Sequence, residues 1–246
     1  MIKRLSSLST QIKLKVNDSF RPRGQCVACL ASIAGHGLCI GCFDDLPVNL
    51  SQCRQCALPL AIEIRHPVFC GECLSQPPPF ERVIAPWRYQ FPVNQLVSRY
   101  KYSGQRALGQ PLITSLVTHV REQLAQEPDR RPDVLIPSPM HSSRQRKRGF
   151  NQAEDIAEQL SRAIDVPWSV SLARRLRKAP AQSGLKREQR LANLRNSFAI
   201  YGPAPGRIAI VDDVMTTGAT ARALSLALQG AGAKHIEVWA LARTPG

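Results

Sequence analysis

Cysteine is absent from residues 74–246 of this 246-residue chain, and the hallmarks of several protein classes are missing as well. No apolar run approaches the roughly 20 residues that a membrane-spanning helix needs. The N-terminal segment lacks the apolar centre of a secretory signal peptide, because its apolar residues are scattered singly. Acidic residues are few, 18 Asp and Glu against 33 Lys and Arg, which gives a net charge of +15. We therefore expect a soluble cytoplasmic protein whose electrostatic field attracts polyanions such as nucleic acid or pyrophosphate.

Residues 1–25 form a basic N-terminal tail. Four of its apolar residues recur at helical spacing, namely Ile2, Leu5, Leu8 and Ile12. This spacing is compatible with a basic amphipathic helix that contacts an anionic membrane surface, which would give the protein a peripheral location at a membrane. A frayed, solvated tail is the blander and favoured interpretation of such a terminus.

All eight cysteines occur in four Cys-x-x-Cys pairs, and two such pairs supply the four sulfurs of a tetrahedral Zn²⁺ site. The short stretches of chain between successive cysteine pairs favour metal sites that are formed by neighbouring pairs. The module also has few large apolar groups, so metal binding would supply its folding energy. We predict two structural zinc sites, formed by Cys26, Cys29, Cys39 and Cys42 and by Cys53, Cys56, Cys70 and Cys73. An interleaved pairing stays open, as do a disulfide framework and a redox Cys-x-x-Cys.

Three consecutive prolines predict a stiff linker at residues 76–80, between a cysteine-rich module at 26–75 and a larger domain at 81–246. In that domain, segments with the apolar pattern of a β-strand alternate with segments that have the apolar period of a helix. Strands are predicted at 82–91, 133–137, 207–213 and 236–241, and helices at 108–124, 153–164 and 219–229, with a basic loop before the second helix. The β-loop-α-β order predicts an α/β fold with a right-handed parallel sheet.

The strand at 207–213 ends in two adjacent carboxylates that precede a loop rich in threonine. Asp212 and Asp213 can accept hydrogen bonds from vicinal ribose hydroxyls, or meet a bound Mg²⁺. Gly218 lets backbone N–H groups close around a phosphate at the N-terminus of the next helix, where the helix dipole favours an anion. The predicted site for a phosphorylated sugar comprises Asp212, Asp213, Thr216, Thr217, Gly218, Ala219 and Thr220.

The run from Ile210 to Thr220 resembles the phosphoribosyl pyrophosphate signature of type I phosphoribosyltransferases: apolar residues, two acids, then Thr-Thr-Gly-x-Thr. The resemblance implies a type I phosphoribosyltransferase-like parallel sheet flanked by helices. It also implies that Asp212 and Asp213, at the catalytic position, hold the ribose hydroxyls. The loop at 216–220 would bind the 5′-phosphate, with Mg²⁺ accompanying the ligand.

A wider pattern resembles the ComF family of competence-associated proteins over residues 26–243. It consists of the cysteine pairs, the segments Ile136–His141 and Arg148–Gln152, and the signature; further matches are Gln182, Leu185, Arg190 and Asn193. Ala179 stands where the family usually has threonine, and Ser138 where it tends to have an apolar residue. The resemblance implies a double zinc ribbon, a role in DNA uptake or the use of external DNA, and partners in the uptake machinery at the inner face of the membrane.

The segment 141–195 carries thirteen basic and five acidic residues, a net charge of +8. We predict that four of its residues bind pyrophosphate or another polyanion: Arg144, Arg148, Gln182 and Arg190. The surplus charge favours a second polyanion, and single-stranded DNA suits a basic groove with aromatic residues such as Trp87, Tyr100, Tyr102 and Phe150. A solvated basic surface is the alternative.

Three function classes therefore remain. The chain is a transferase that joins phosphoribose to an unidentified amine or nucleobase, a nucleic-acid-binding protein that keeps the ligand site, or a regulator gated by phosphoribosyl pyrophosphate. The site residues alone do not separate binding from turnover.

Overall fold

The structure is a computed structural model that describes residues 24–32, 37–61, 66–102, 106–176 and 197–246. Two short helices accompany the cysteine pairs, α1 (Ile40–Asp44) and α2 (Gly71–Ser75). The larger domain contains β1 (Arg82–Ile84), β2 (Trp87–Arg88), α3 (Val93–Tyr102), α4 (Gln110–Gln126), β3 (Val134–Pro137), α5 (Ser142–Arg148), α6 (Gln152–Ile164), β4 (Ala173–Arg175), β5 (Phe198–Ile200), β6 (Arg207–Met215), α7 (Ala219–Gly230) and β7 (His235–Arg243). Short 3₁₀ turns lie at Arg106–Leu108 and Pro128–Arg130. The tail at 1–23 and the predicted ligands Gln182 and Arg190 lie outside the described residues.

A parallel sheet forms the centre of the larger domain. Its strands lie in the order β1-β7-β6-β3, and β2 also pairs with β7. The register aligns Ile136 with Ile210 and Val211 with Trp239. Helix α7 connects β6 to its parallel neighbour β7, as a crossover of this kind requires. The predicted fold class, a parallel sheet flanked by helices after a cysteine-rich module, is confirmed.

Both faces of the sheet are covered, which explains why β6 and β7 are almost continuously apolar. On one face, Leu112 and Leu116 of α4 and Leu160 of α6 join a cluster with Trp239. On the other face, α7 and the second set of cysteines share one hydrophobic cluster with β6. The cysteine module is therefore packed into the core of the α/β domain.

Two local predictions differ from the structure. The strand predicted at 82–91 is divided into β1 and β2 around Ala85 and Pro86, because proline cannot donate a ladder hydrogen bond. The segment predicted as a basic loop contains helix α5 instead. Its first turn is capped by the His141 ring, which accepts a hydrogen bond from the Ser143 backbone N–H, and it ends at Gly149 with φ +84°.

Several hydrogen bonds fasten the cysteine module and the proline segment to the domain. The Asn49 side chain donates to the carbonyls of Ala57 and Ala85. Arg222 and Gln229 of α7 donate to the carbonyls of Gln76 and Pro79. None of the described helices is both long and apolar enough to cross a membrane.

Candidate functional site

The eight cysteines come together as two groups of four. One group is Cys26, Cys29, Cys39 and Cys42 and the other is Cys53, Cys56, Cys70 and Cys73; the sulfurs of each lie within 4.8 Å of one another. These are the two sets predicted from the spacing, and the interleaved pairing is not formed. The cysteines in the described residues form no disulfide.

The sulfur geometry suits a zinc ion. Four bonds of about 2.3 Å in a tetrahedron place the sulfurs about 3.8 Å apart. The Cys29 and Cys39 sulfurs are 3.6 Å apart, as are the Cys56 and Cys70 sulfurs. The Cys70 backbone N–H donates to the Cys53 sulfur, a contact that favours the thiolate. Each group could therefore hold one zinc ion.

A separate cleft lies at the carboxyl ends of β3 and β6, where open α/β sheets bind ligands. Its lining includes Asp212 and Asp213 from β6, Thr220 from α7, and Ser138 from the end of β3, around a volume of about 160 Å³. Of the predicted ligands of the ribose 5-phosphate, Asp212, Asp213 and Thr220 share this cleft with helix α5, whereas the residues from Thr216 to Ala219 do not line it.

Both carboxylates are held by local contacts. The Asp213 backbone N–H donates to Asp212 Oδ1 at 2.9 Å, and the Val214 N–H donates to Asp213 Oδ1 at 2.6 Å. Lys101 Nζ lies 3.0 Å from the same Asp213 oxygen. Within the described residues, these contacts use only Oδ1 of Asp213 and leave its second oxygen available for a hydroxyl of a ligand.

Asp212 has an unusual acidity. Burial, reinforced by the neighbouring Asp213 carboxylate, raises the pKa of Asp212 to about 7. Lys101 and Ser138 act in the opposite direction without cancelling the increase. A ligand that needs both carboxylates ionised must therefore displace a proton near neutral pH.

The loop between β6 and α7 requires a glycine. Gly218 has φ +73°, and a Cβ at this position would lie 2.7 Å from Met215 Cε. The first amides of a helix have no intrahelical partner, which makes a helix N-terminus suited to an anion. Thr217 Oγ1 accepts the Ala219 N–H at 3.4 Å, and Thr216 and Thr217 are exposed.

Of the four predicted polyanion ligands, Arg144 and Arg148 line the cleft. They are four residues apart on α5 and therefore share one face of that helix. Arg148 donates to Gln152 Oε1 at 3.0 Å, which fixes its direction.

The sequence interpretation did not single out two further cations of the cleft, Lys101 and Arg175. Lys101 comes from α3, more than one hundred residues before Asp213, so no local pattern links the two. Arg175 was only one of many basic residues in its segment. Burial and the neighbouring Arg144 lower the pKa of Arg175, which indicates a concentration of positive charge.

The prediction that Trp87, Tyr100 and Phe150 stack with DNA bases is wrong. Their relative exposures are 5%, 0% and 6%. The Tyr100 hydroxyl donates to Asp155 at 2.6 Å, and its ring contacts Phe150 edge-on. All three rings belong to one buried hydrophobic cluster and therefore serve the core; the Tyr102 side chain is outside the described part.

The chain is similar to several known proteins. It is 33% identical to competence protein F of Haemophilus influenzae over 225 residues, 89% of this chain and 96% of that protein. It is 33% identical to DNA utilization protein YhgH of Escherichia coli K12 over 224 residues, 90% of this chain and 97% of that protein. Competence protein ComFC of Streptococcus pneumoniae is 28% identical over 63% of this chain and 65% of its own length.

Among solved structures, purine phosphoribosyltransferase from Pyrococcus horikoshii Ot3 is 22% identical, covers 54% of this chain and 74% of its own, and gives a TM-score of 0.36. No family model matches the chain. Competence protein F and DNA utilization protein YhgH are thus each about one-third identical to this chain over nearly their whole length. The chain belongs to the family of competence protein F and DNA utilization protein YhgH.

Proposed function

We propose that this chain binds phosphoribosyl pyrophosphate in the cleft at the end of β6 and acts in DNA uptake or in the use of external DNA. The observation that carries the proposal is the convergence of two carboxylates, a helix N-terminus and four basic side chains in one cleft. A sugar with hydroxyls, a 5′-phosphate and a pyrophosphate requires this combination of groups.

Each part of the ligand has a matching group. Asp212 and the second oxygen of Asp213 accept the ribose hydroxyls. The amides after Gly218 receive the 5′-phosphate. Arg144, Arg148 and Arg175 face the pyrophosphate, and a Mg²⁺ ion bound to the pyrophosphate would offset its remaining charge.

The first test is calorimetric titration of the full chain with phosphoribosyl pyrophosphate and Mg²⁺. Asp213→Asn should weaken binding about 10-fold or more, because hydrogen bonds to a charged group are among the strongest. Asp165→Asn is the matched control, since Asp165 is exposed, lies at the far end of α6, and has a φ of +53° that asparagine tolerates. Equal affinity of the two variants would refute the site.

Turnover is a separate question. In the first alternative, the chain is an active phosphoribosyltransferase on an amine or nucleobase; in the second, it is a regulator gated by the ligand. Pyrophosphate release with a panel of amines and bases supports the enzyme. Measurable binding without release across that panel supports the regulator.

A role in DNA handling is supported by the names of the relatives and by the basic surface. Arg146 on α5 and Arg174 on β4 are exposed, beside the Arg144 and Arg175 side chains that line the cleft. We propose that this surface binds single-stranded DNA in the cytoplasm, next to uptake machinery at the inner membrane. The logarithm of affinity should fall steeply with the logarithm of salt concentration, with a smaller slope in Arg146→Gln/Arg174→Gln. An unchanged slope would contradict this surface.

Two structural zinc ions complete the proposal, one in each group of four sulfurs. Metal analysis of the purified chain should find two per molecule. A single zinc, or none with disulfides in its place, would contradict the assignment.

A further inference from the structure

A second polar cavity lies away from the ligand cleft, between the second group of cysteines, strand β1 and helix α4. Its volume is about 560 Å³, enough for more than one planar base. Phe69 and Arg54 come from the cysteine module, and Gln123 comes from α4. Nothing in the proposed phosphoribosyl pyrophosphate site uses this cavity.

The cavity contains an exposed aromatic ring. Phe69 is 44% exposed although it directly precedes the metal-binding Cys70. The aromatic residues expected to stack with bases are buried, whereas this ring lines an open cavity. An aromatic face is what an unpaired base requires, and stacking tolerates any base.

The remaining polar groups suit a neutral ligand better than a phosphate. Arg82 forms ion pairs with Glu127 at 2.6 Å and with Glu237 at 2.8 Å. Arg130 is paired with the same two glutamates and with Glu81. Their charges are therefore neutralised within the protein, which disfavours a polyanion inside the cavity.

Three glutamines supply neutral hydrogen-bonding groups. Gln52 Oε1 accepts from Asn49, Gln55 Nε2 donates to the Phe80 carbonyl, and Gln123 Oε1 accepts from Arg82. Within the described part of the chain, the opposite end of each amide has no partner. Side-chain amides of this kind recognise the edges of unpaired bases.

We propose that this cavity binds a base of single-stranded nucleic acid, stacked on Phe69 and contacted by the glutamine amides. Exposed Arg54 at the same cavity would contact the adjoining backbone phosphate. The inference rests on the proposed DNA binding and adds a contact site for the bases, separate from the basic surface of α5 and β4.

The test compares a short thymidine oligonucleotide with an abasic strand of the same length, using fluorescence anisotropy and the full zinc-loaded chain. The wild type should bind the thymidine strand about 5-fold or more tightly than the abasic strand, the minimum expected for one stacked base. Phe69→Leu should remove this preference and leave the affinity for the abasic strand unchanged. Phe43→Leu is the matched control, because Phe43 is 47% exposed on the other half of the module and does not line this cavity.

A second variant guards against disturbance of Cys70 by the Phe69 substitution. Gln123→Ala lies on α4, outside the cysteine module, and should also reduce the preference for bases. Equal binding of the two strands by the wild type would overturn the cavity proposal while leaving DNA binding intact. A preference for the thymidine strand that survives both Phe69→Leu and Gln123→Ala would overturn it in the same way. If neither strand binds at low salt, DNA binding itself fails and the cavity proposal fails with it; titration with phosphoribosyl pyrophosphate tests the ligand cleft independently.

Discussion

Arg243 joins the cysteine module to the loop that follows β6, and its replacement by methionine should weaken both. The side chain is 4% exposed. Its Nε donates to the Cys56 carbonyl at 3.1 Å, and its Nη1 donates to the carbonyls of Met215 at 3.2 Å and Thr216. Methionine keeps a similar length and apolar stem but has no donor.

The size of the effect follows from which carbonyls lose their partner. The Met215 carbonyl also accepts the Thr244 N–H, Thr216 is exposed to water, and Thr244, whose carbonyl also accepts from Arg243, is partly exposed, so the Cys56 carbonyl is the principal buried group left without a donor. Hydrogen bonds from a charged donor contribute about 1.5–3 kcal/mol each, and removal of a buried charge offsets part of the loss. We expect a net decrease in the free energy of unfolding of about 3 kcal/mol, or about 6–12 °C in melting temperature for a domain of this size.

Urea unfolding followed by tryptophan fluorescence measures the change, since Trp239 is fully buried. The control is Arg222→Met, which removes a partly exposed ion pair with Glu72 and a bond to the Gln76 carbonyl. Such a surface pair contributes at most about 1 kcal/mol. Equal unfolding midpoints for the two variants would refute the reasoning. An Arg243→Met chain with unchanged affinity for phosphoribosyl pyrophosphate would refute the link to the loop.

Three further predictions concern the loop, pH and metal. Gly218→Ala should destabilise the chain by about 1 kcal/mol or more, because Gly218 has a positive φ. Gly230→Ala is the control: the space around its Cβ is open, so stability should stay unchanged or rise by up to about 1 kcal/mol. Thermal unfolding of both variants measures the difference, and equal melting temperatures would contradict the prediction. The raised pKa of Asp212 favours its protonated form in the folded state, so its contribution to stability is present below about pH 4 and is lost as the pH rises to about 7. Asp212→Asn should flatten that part of the pH profile, and an identical profile would contradict the assignment. A chelator should remove metal first from the group that contains exposed Cys29 and only later from the buried second group; simultaneous loss, measured with a colorimetric zinc indicator, would contradict this order.

The parts of the fold that sequence could predict are those with local periodicity. The apolar runs of β6 and β7, the helical period of α6 and the Cys-x-x-Cys spacing can each be recognised from one short stretch of sequence. The short helix α5 has no apolar face, so periodicity could not separate it from a loop. Asp212, Asp213 and Thr220 of the signature could likewise be grouped in advance, because they are close together in the chain.

Long-range placement could not be predicted in the same way. Lys101 reaches Asp213 only because the tertiary fold brings the end of α3 next to the end of β6. Aromatic residues look alike in a sequence whether they stack on a ligand or fill a core, and the structure places Tyr100 and Phe150 in the core and Phe69 at an open cavity. Burial depends on packing between distant elements, which no local pattern contains.

The shared hydrophobic cluster of the second cysteine group and the sheet has an evolutionary consequence. Cys53 and Cys73 lie in the same apolar core as Ile208 and Leu224. A gene fragment that encoded only the α/β domain would expose to water the part of this core that the cysteines cover, and would produce an aggregation-prone protein. The cysteine module therefore cannot be exchanged or lost independently of the α/β domain. Its loss in a descendant protein would require compensating polar substitutions on the face of the sheet that it covers.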